Sequence, residues 1–204
     1  MTIVVLASDS QWEELTITTT DIQWIKAGTD FSLTDYPDAD AFFVMKENNC
    51  FNYTETAKPV FINSVTATLK ELNVPDNVLR INGWNGFLQR PVWEISGILD
   101  DCNKGVLKKL DKKIHVVNDN PGLVSAKIIA MIINEAYFAL GDEVSSKTEI
   151  DTAMKLGTNY PYGPFEWAQK IELKNIYLLL QKLSLFDKRY QPAPLLITEA
   201  TQNN

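Results

Sequence analysis

Asn118-Asp119-Asn120-Pro121-Gly122-Leu123-Val124-Ser125-Ala126-Lys127-Ile128-Ile129-Ala130-Met131-Ile132-Ile133-Asn134-Glu135-Ala136-Tyr137-Phe138-Ala139-Leu140-Gly141 is the stretch from which the fold is read. A side-chain acceptor followed by proline suits a helix start, because proline's fixed φ is preorganised for the first turn and its missing N–H is not needed there. The pattern predicts a helix from about Pro121 to Leu140, stopped by Gly141 as a left-handed cap. Val124, Ile128, Met131, Ile132, Ala136 and Leu140 share one face, while Ile129, Ile133, Tyr137 and Phe138 leave little of the circumference polar. Such a helix belongs in the core of a bundle or at a subunit interface.

Downstream, Ser146-Lys147-Thr148-Glu149 has the spacing of a capping box, in which serine and glutamate satisfy each other's backbone N–H groups. It predicts a helix over Lys147 to Leu156 that stops at Gly157. Gly163-Pro164 opens a short helix through Glu166, Trp167 and Ala168. Another runs from about Glu172 to Phe186, with Leu173, Ile176, Tyr177, Leu180 and Leu183 at helical spacing. Four helices over residues 118–204 predict an all-α domain, ending in a polar tail, Thr198 to Asn204, that frays.

Upstream the pattern changes to short apolar runs. Thr2-Ile3-Val4-Val5-Leu6-Ala7 reads as a buried parallel strand, Lys58 to Ser64 as another, and Asn77 to Ile81 as a further strand. Val65 to Leu72 reads as a short helix, and Asp30 to Pro37 as turn. Lys113-Ile114-His115-Val116-Val117 is a last strand leading into the helices. Residues 1–117 therefore form an α/β domain ahead of the helical one.

The chain has 204 residues, 45% of them apolar, which is enough to bury a core. A formal charge of −7 argues against nucleic acid, whose phosphates need Lys and Arg. Lys104, Lys108, Lys109, Lys112 and Lys113 form the one basic cluster, and a solvated helix face is the plainer reading of it than a contact to coenzyme phosphates. No apolar run approaches the roughly 18 residues of a membrane span, and the first residues lack the basic start of a signal peptide. A cytoplasmic protein that neither crosses a membrane nor holds a metal is expected. Cys50 and Cys102 have no His or Cys partner at zinc-ligand spacing and read as thiols.

Five blocks carry a resemblance to a known family: Asn120 to Val124; Asn134-Glu135-Ala136; Glu149 to Gly157; Pro161 to Glu166; and Arg189 to Leu196. In this order they resemble the C-terminal domain of L-3-hydroxyacyl-CoA dehydrogenases. The fold so implied is an abbreviated Rossmann-like parallel sheet followed by a helical bundle like the C-terminal domain of 6-phosphogluconate dehydrogenase. The resemblance also implies a homodimer formed through the helical domain, an acyl-CoA ligand and, in the family, NAD.

The N-terminal part departs from that family. A dinucleotide turn reads G-x-G-x-x-G because bare backbone must approach the pyrophosphate. Here the turn is Ala7-Ser8-Asp9-Ser10-Gln11-Trp12, with an aspartate where two phosphates would lie. Asp38 to Met45 resembles the family's Asp-Ala-Asp strand, and only about 34 residues separate the first strand from it, little more than the roughly 30 of one βαβ unit, so the first mononucleotide half is cut down. No cofactor is expected.

The catalytic set departs as well. Placed on the family's His-Phe-Phe-Asn-Pro loop and the strand after it, Asn82-Gly83-Trp84-Asn85 and Trp93-Glu94-Ile95 keep Asn85 and Glu94 but put Asn82 where the histidine stands. In the family, as the resemblance implies, that histidine is the general base on the 3-hydroxyl and the glutamate orients it. An asparagine amide is not basic. The chain's single histidine, His115, reads as a structural residue of its strand. Ser64 and Thr68 fall in the loop that offers a substrate-binding hydroxyl, although Thr68 also suits a helix N-terminus. Ala126 and Lys127 replace the family's Asn-Arg pair.

The expectation is a degenerate family member without hydride transfer, acting as an acyl-CoA-binding or dimeric interaction module. The alternative is an active L-3-hydroxyacyl-CoA dehydrogenase of fatty-acid metabolism with an atypical site. A third possibility is another chemistry drawing on Asp9, Asn82, Asn85 and Glu94 near the strand ends. Trp12, Trp24, Trp84 and Trp93 are the aromatics available to fill a vacated cleft.

Overall fold

Short runs of branched residues at the N-terminal end become strands. In the computed structural model, which describes residues 1–17, 21–47 and 51–202, they are β1 (Thr2–Leu6), β2 (Gln23–Lys26), β3 (Ala41–Val44), β4 (Val60–Asn63), β5 (Val78–Ile81), β6 (Val92–Ser96) and β7 (Lys113–Val116). They pair in the order β2-β1-β3-β4-β5-β6-β7. All neighbours are parallel except β5 and β6, so the last two strands run against the other five. Helices α1 (Asp9–Thr16), α2 (Leu69–Leu72) and α3 (Asp101–Lys109) interleave with them.

The order shows what has been shortened. A full mononucleotide half sets two strands beyond the first on its outer side, whereas here only β2 lies outside β1. The chain then crosses to β3 without a helix, through a three-residue 3-10 turn at Leu33–Asp35. β2 itself was not legible in the sequence, because its four residues, Gln-Trp-Ile-Lys, are too few and too polar to show a period.

Every residue of β3, β4 and β5 is buried, as parallel strands covered on both sides must be. Alternate residues feed two cores. Ile3, Val5, Ala41, Phe43, Phe61, Leu79, Ile81 and Ile95 pack with Leu15 of α1 and with Val106 and Leu107 of α3. Val4, Leu6, Phe42, Val44, Val60, Ile62 and Val78 pack with Ala27, Leu33, Ala39, Phe31, Tyr36 and Leu69. The second face is thus closed mostly by connecting segments, which stand in for the helix the short first half lacks. Phe43 and Phe61 stack at 4.6 Å in the first core, and each such ring is worth about 1.5–3 kcal/mol on burial.

The chain divides into two compact units, Met1–Leu123 and Val124–Asn204. Residues 118–123 go with the first, not with the helices as the sequence boundary at 117 supposed. Arg80 explains this. Its guanidinium pairs with Asp119 and donates to Asn120 O at 3.0 Å, and Gly122 N–H donates to Val65 O at 2.8 Å.

The second unit comprises α4 (Ser125–Gly141), α5 (Lys147–Thr158), α6 (Pro164–Ile171), α7 (Leu173–Ser184) and α8 (Pro194–Gln202). α4 begins four residues later than expected, since Gly122 and Leu123 take φ of +83° and +49°, which no helix accommodates. Gly141 is its last helical residue, and Glu143 (φ +56°) turns left-handed instead. The expected core face is also corrected. Ala126, Ile129, Ala130, Ile133, Asn134, Ala136 and Tyr137 are buried, whereas Val124 and Ile128 are 47% and 52% exposed.

The capping box forms as read. Ser146 accepts from Glu149 N, and the Glu149 carboxylate accepts from Ser146 N at 3.1 Å. That helix runs through Gly157 to Asn159, a left-handed cap at φ +55°. Residues 198–202 are helical rather than frayed, because α8 packs on α4 and α7. Asn203 and Asn204 lie outside the described residues.

The recurring words of this unit are bolts between its helices. Asn134 donates to Gln191 O at 2.9 Å and accepts from Ala193 N at 2.8 Å. Asp151, nearly buried on α5, caps α6 by accepting from Phe165 N at 2.8 Å and Glu166 N at 3.2 Å. Gly163 must be glycine there, as a Cβ would come within 2.3 Å of that carboxyl.

Candidate functional site

The ladder register gathers the expected site residues at the carboxyl end of β5. Ile81 lies opposite Ile95, so the next residue, Asn82, comes opposite Glu94, and Glu94 is in turn the ladder partner of His115 on β7. Directly opposed residues face the same side, with Cβ atoms about 4.5–5.5 Å apart. Ile81, Ile95 and Ile114 point into the core shared with α1 and α3. Asn82, Glu94 and His115 therefore line the other face. His115, read as a structural strand residue, is exposed on the edge strand.

Asn82 is 7% exposed, and its side-chain oxygen accepts from Trp84 N at 3.2 Å. Asn85 has its side-chain oxygen buried without a hydrogen-bond partner. Trp84, 2% exposed, donates its indole N–H to Glu47 at 3.0 Å. Trp93 is also buried, and donates to Leu88 O at 3.1 Å. Trp12 and Trp24 are half-buried and meet edge to face at 6.4 Å.

Both candidate hydroxyls donate their protons locally. Thr68 is the N-cap of α2: it accepts from Glu71 N at 3.1 Å and donates to the Glu71 carboxylate at 3.0 Å. Ser64 donates to Ala67 O at 2.9 Å, closing the turn after β4. The strongest charge here is one the sequence reading passed over. Arg80 is fully buried, pairs with Asp119 and donates to Ser64 O at 2.7 Å. Asp119 in turn accepts from Leu69 N and Lys70 N at the start of α2. Burial pushes the Asp119 carboxyl up, but these N–H groups and Arg80 outweigh it and hold it below its ordinary value.

Asp9 does not join the row. Its side chain is 94% exposed and ion-paired to Lys26, which lowers its pKa and keeps it anionic. The basic cluster separates too. Lys104, Lys108, Lys109 and Lys113 are exposed, but Lys112 is half-buried, its ammonium donating to Leu88 O and Arg90 O at 3.0 Å each. Among the described residues no group of His, Cys, Asp and Glu could hold a metal ion, and no helix is long and apolar enough to cross a membrane. Cys102 is exposed; Cys50 lies outside the described residues.

Residues 122–203 match the model of the 3-hydroxyacyl-CoA dehydrogenase C-terminal domain. The 3-hydroxyadipyl-CoA dehydrogenase of Escherichia coli is 42% identical over 92 residues, 44% of this chain and 19% of that protein. The 3-hydroxybutyryl-CoA dehydrogenase of Bradyrhizobium diazoefficiens is 34% identical over 142 residues, 66% of this chain and 48% of its own length. Over its helical unit the chain is similar to the C-terminal domain of 3-hydroxyacyl-CoA dehydrogenases. It spans about half or less of the length of these curated relatives. The crystal structure of (S)-3-hydroxybutyryl-CoA dehydrogenase PaaH1 from Ralstonia eutropha shares the fold, with a TM-score of 0.71 at 20% identity over 97% of this chain and 92% of that one.

Dehydrogenases of this family imply a dinucleotide, and the turn after β1 does not fit one. Ser8 caps α1, its hydroxyl accepting from Gln11 N at 3.3 Å while the Gln11 amide oxygen accepts from Ser8 N at 3.0 Å. Two of the N–H groups at the helix start where a pyrophosphate would dock are thus engaged by side chains, and Asp9 adds a carboxylate to that first turn.

Proposed function

We propose that this chain is a member of the 3-hydroxyacyl-CoA dehydrogenase family that does not transfer hydride and acts as a dimeric interaction module or as a binder of an acyl-CoA-like ligand. Asn82 carries the reading. The residue directly after β5 has an amide that cannot take a proton from a hydroxyl at neutral pH. The poor fit of the β1–α1 turn to a pyrophosphate supports it. Val124 and Ile128 support dimerisation, as an apolar stripe on α4 that its own unit leaves exposed. The same proposal places the protein in the cytoplasm, with neither nucleic acid nor membrane as partner.

The proposal predicts that calorimetry with NAD and NADH will give no heat at millimolar ligand and that the protein will elute as a dimer. A thermal-shift panel of acetoacetyl-CoA, free CoA and buffer separates the two roles, since a ligand at a hundredfold excess over its Kd adds about 2.7 kcal/mol. No shift leaves a protein partner. Oxidation of 3-hydroxybutyryl-CoA that disappears in Glu94→Gln refutes the proposal.

One observation favours a second reading, an active dehydrogenase with a rewired site: His115 is the ladder partner of Glu94. On that reading turnover exists and His115→Gln abolishes it.

A further inference from the structure

We infer that residues 82–88 are a permanent internal occupant of the crevice at the switch point of the sheet, sealed there in place of a dinucleotide. The inference rests on the proposed loss of hydride transfer and gives it a physical cause. Open α/β sheets bind ligands outside the carboxyl ends of their strands, where the strand order reverses. Here the reversal lies between β1, which leads outward to β2, and β3.

The chain bridges that point with its own groups. Gln11, in the first turn of α1, donates to Met45 O, just past β3, at 2.9 Å and to Gly83 O at 2.8 Å. Asn63, at the end of β4, donates to the same Met45 O at 2.9 Å and accepts from Gly83 N at 2.9 Å. Both hydrogen-bonding groups of the Gly83 backbone are thus engaged. A Cβ on Gly83 would lie 2.7 Å from that of Asn63, so only glycine lets the segment come this close. Glu14, one turn along α1, accepts from Gly86 N at 2.6 Å.

Between and beyond these bonds Trp84, Phe87 and Leu88 are 2%, 3% and 0% exposed. The far end is latched by Lys112, which donates to Leu88 O and Arg90 O, and by Trp93, which shares Leu88 O. Two latches and an apolar filling describe a fixed plug rather than a lid. Gln11 serves both ends of the replacement: its backbone N–H is taken by Ser8, and its amide holds the plug.

Hydrogen exchange on the full chain, read by mass spectrometry, tests this. Peptides covering 82–88 exchange slowly and do so equally with and without millimolar NADH. In Gln11→Ala/Glu14→Ala, and separately in Lys112→Met, exchange in 82–88 rises on the order of tenfold or more while β3 and β4 stay slow. Those two strands report folding, so a variant that unfolds is recognised, and the other then decides. Exchange in wild-type 82–88 as fast as in an unstructured peptide, or altered by NADH, overturns the plug. The outcomes are separable from the proposed function. Fast exchange without hydride transfer sinks the plug alone, whereas measured 3-hydroxybutyryl-CoA oxidation sinks the proposed function.

Discussion

Arg80 gathers Asp119 and the carbonyls of Ser64, Val65 and Asn120 while exposing none of its side chain. Arg80→Met removes one partner of a buried pair and is expected to cost about 3–5 kcal/mol in a urea melt, because Asp119 loses its counter-ion. The acid limb follows from the sign of the Asp119 shift. Its folded pKa is below the ordinary 3.8, so its contribution is complete above that value and is lost as pH falls through the lower folded one. Asp119→Asn therefore flattens the stability curve below about pH 4, measured by urea midpoints across the acid range. None of this was legible in Val-Leu-Arg-Ile, where arginine reads as one polar residue in a short strand and its partner lies 39 positions on. That Asn82 cannot serve as a base was readable beforehand, because a side chain's lack of basicity needs no coordinates. That Thr68 and Ser64 spend their hydroxyls on local turns needed the structure, since a helix-capping threonine and a ligand-binding one look alike in a sequence.

Helix ends were readable where the signal is local. The Ser146–Glu149 box needs only the right residues three apart, and it forms. Hydrogen bonds from Ser145 and Ser146 draw the Glu149 carboxyl down to about 2. The shift is downward, so the stabilisation it reports is present above the ordinary value of 4.5 and fades as pH falls towards 2. NMR titration should place its midpoint near 2, and Ser146→Ala should move that midpoint up while costing about 1 kcal/mol in a thermal melt. Contacts across helices were not readable. Nothing in Tyr162-Gly163-Pro164 announces that Asp151, twelve residues back, occupies the space beside the glycine. Gly163→Ala is expected to cost about 1–3 kcal/mol by overpacking, read as a lower melting temperature. The face of α4 was misread for a related reason. Two apolar stripes compete on that helix, and small Ala126 and Ala130 let neighbours pack closely on one of them, a choice that periodicity cannot weigh.

Across the chain, the two-part organisation and the shortened first half were legible from length and block order, whereas the plug was not, because it depends on hydrogen bonds between segments 72 residues apart. If the helical unit pairs through the exposed stripe of α4, Ile128→Asp converts a dimer to a monomer in analytical ultracentrifugation without lowering the melting temperature of the monomer. An unchanged dimer would move the interface elsewhere. The bond from Arg80 to residues beyond the last strand also dictates how the gene can be divided. A fragment started at Asn118 carries off the anion and strands its buried cation in the other piece; one started at Val124 leaves both halves of the pair on the same product.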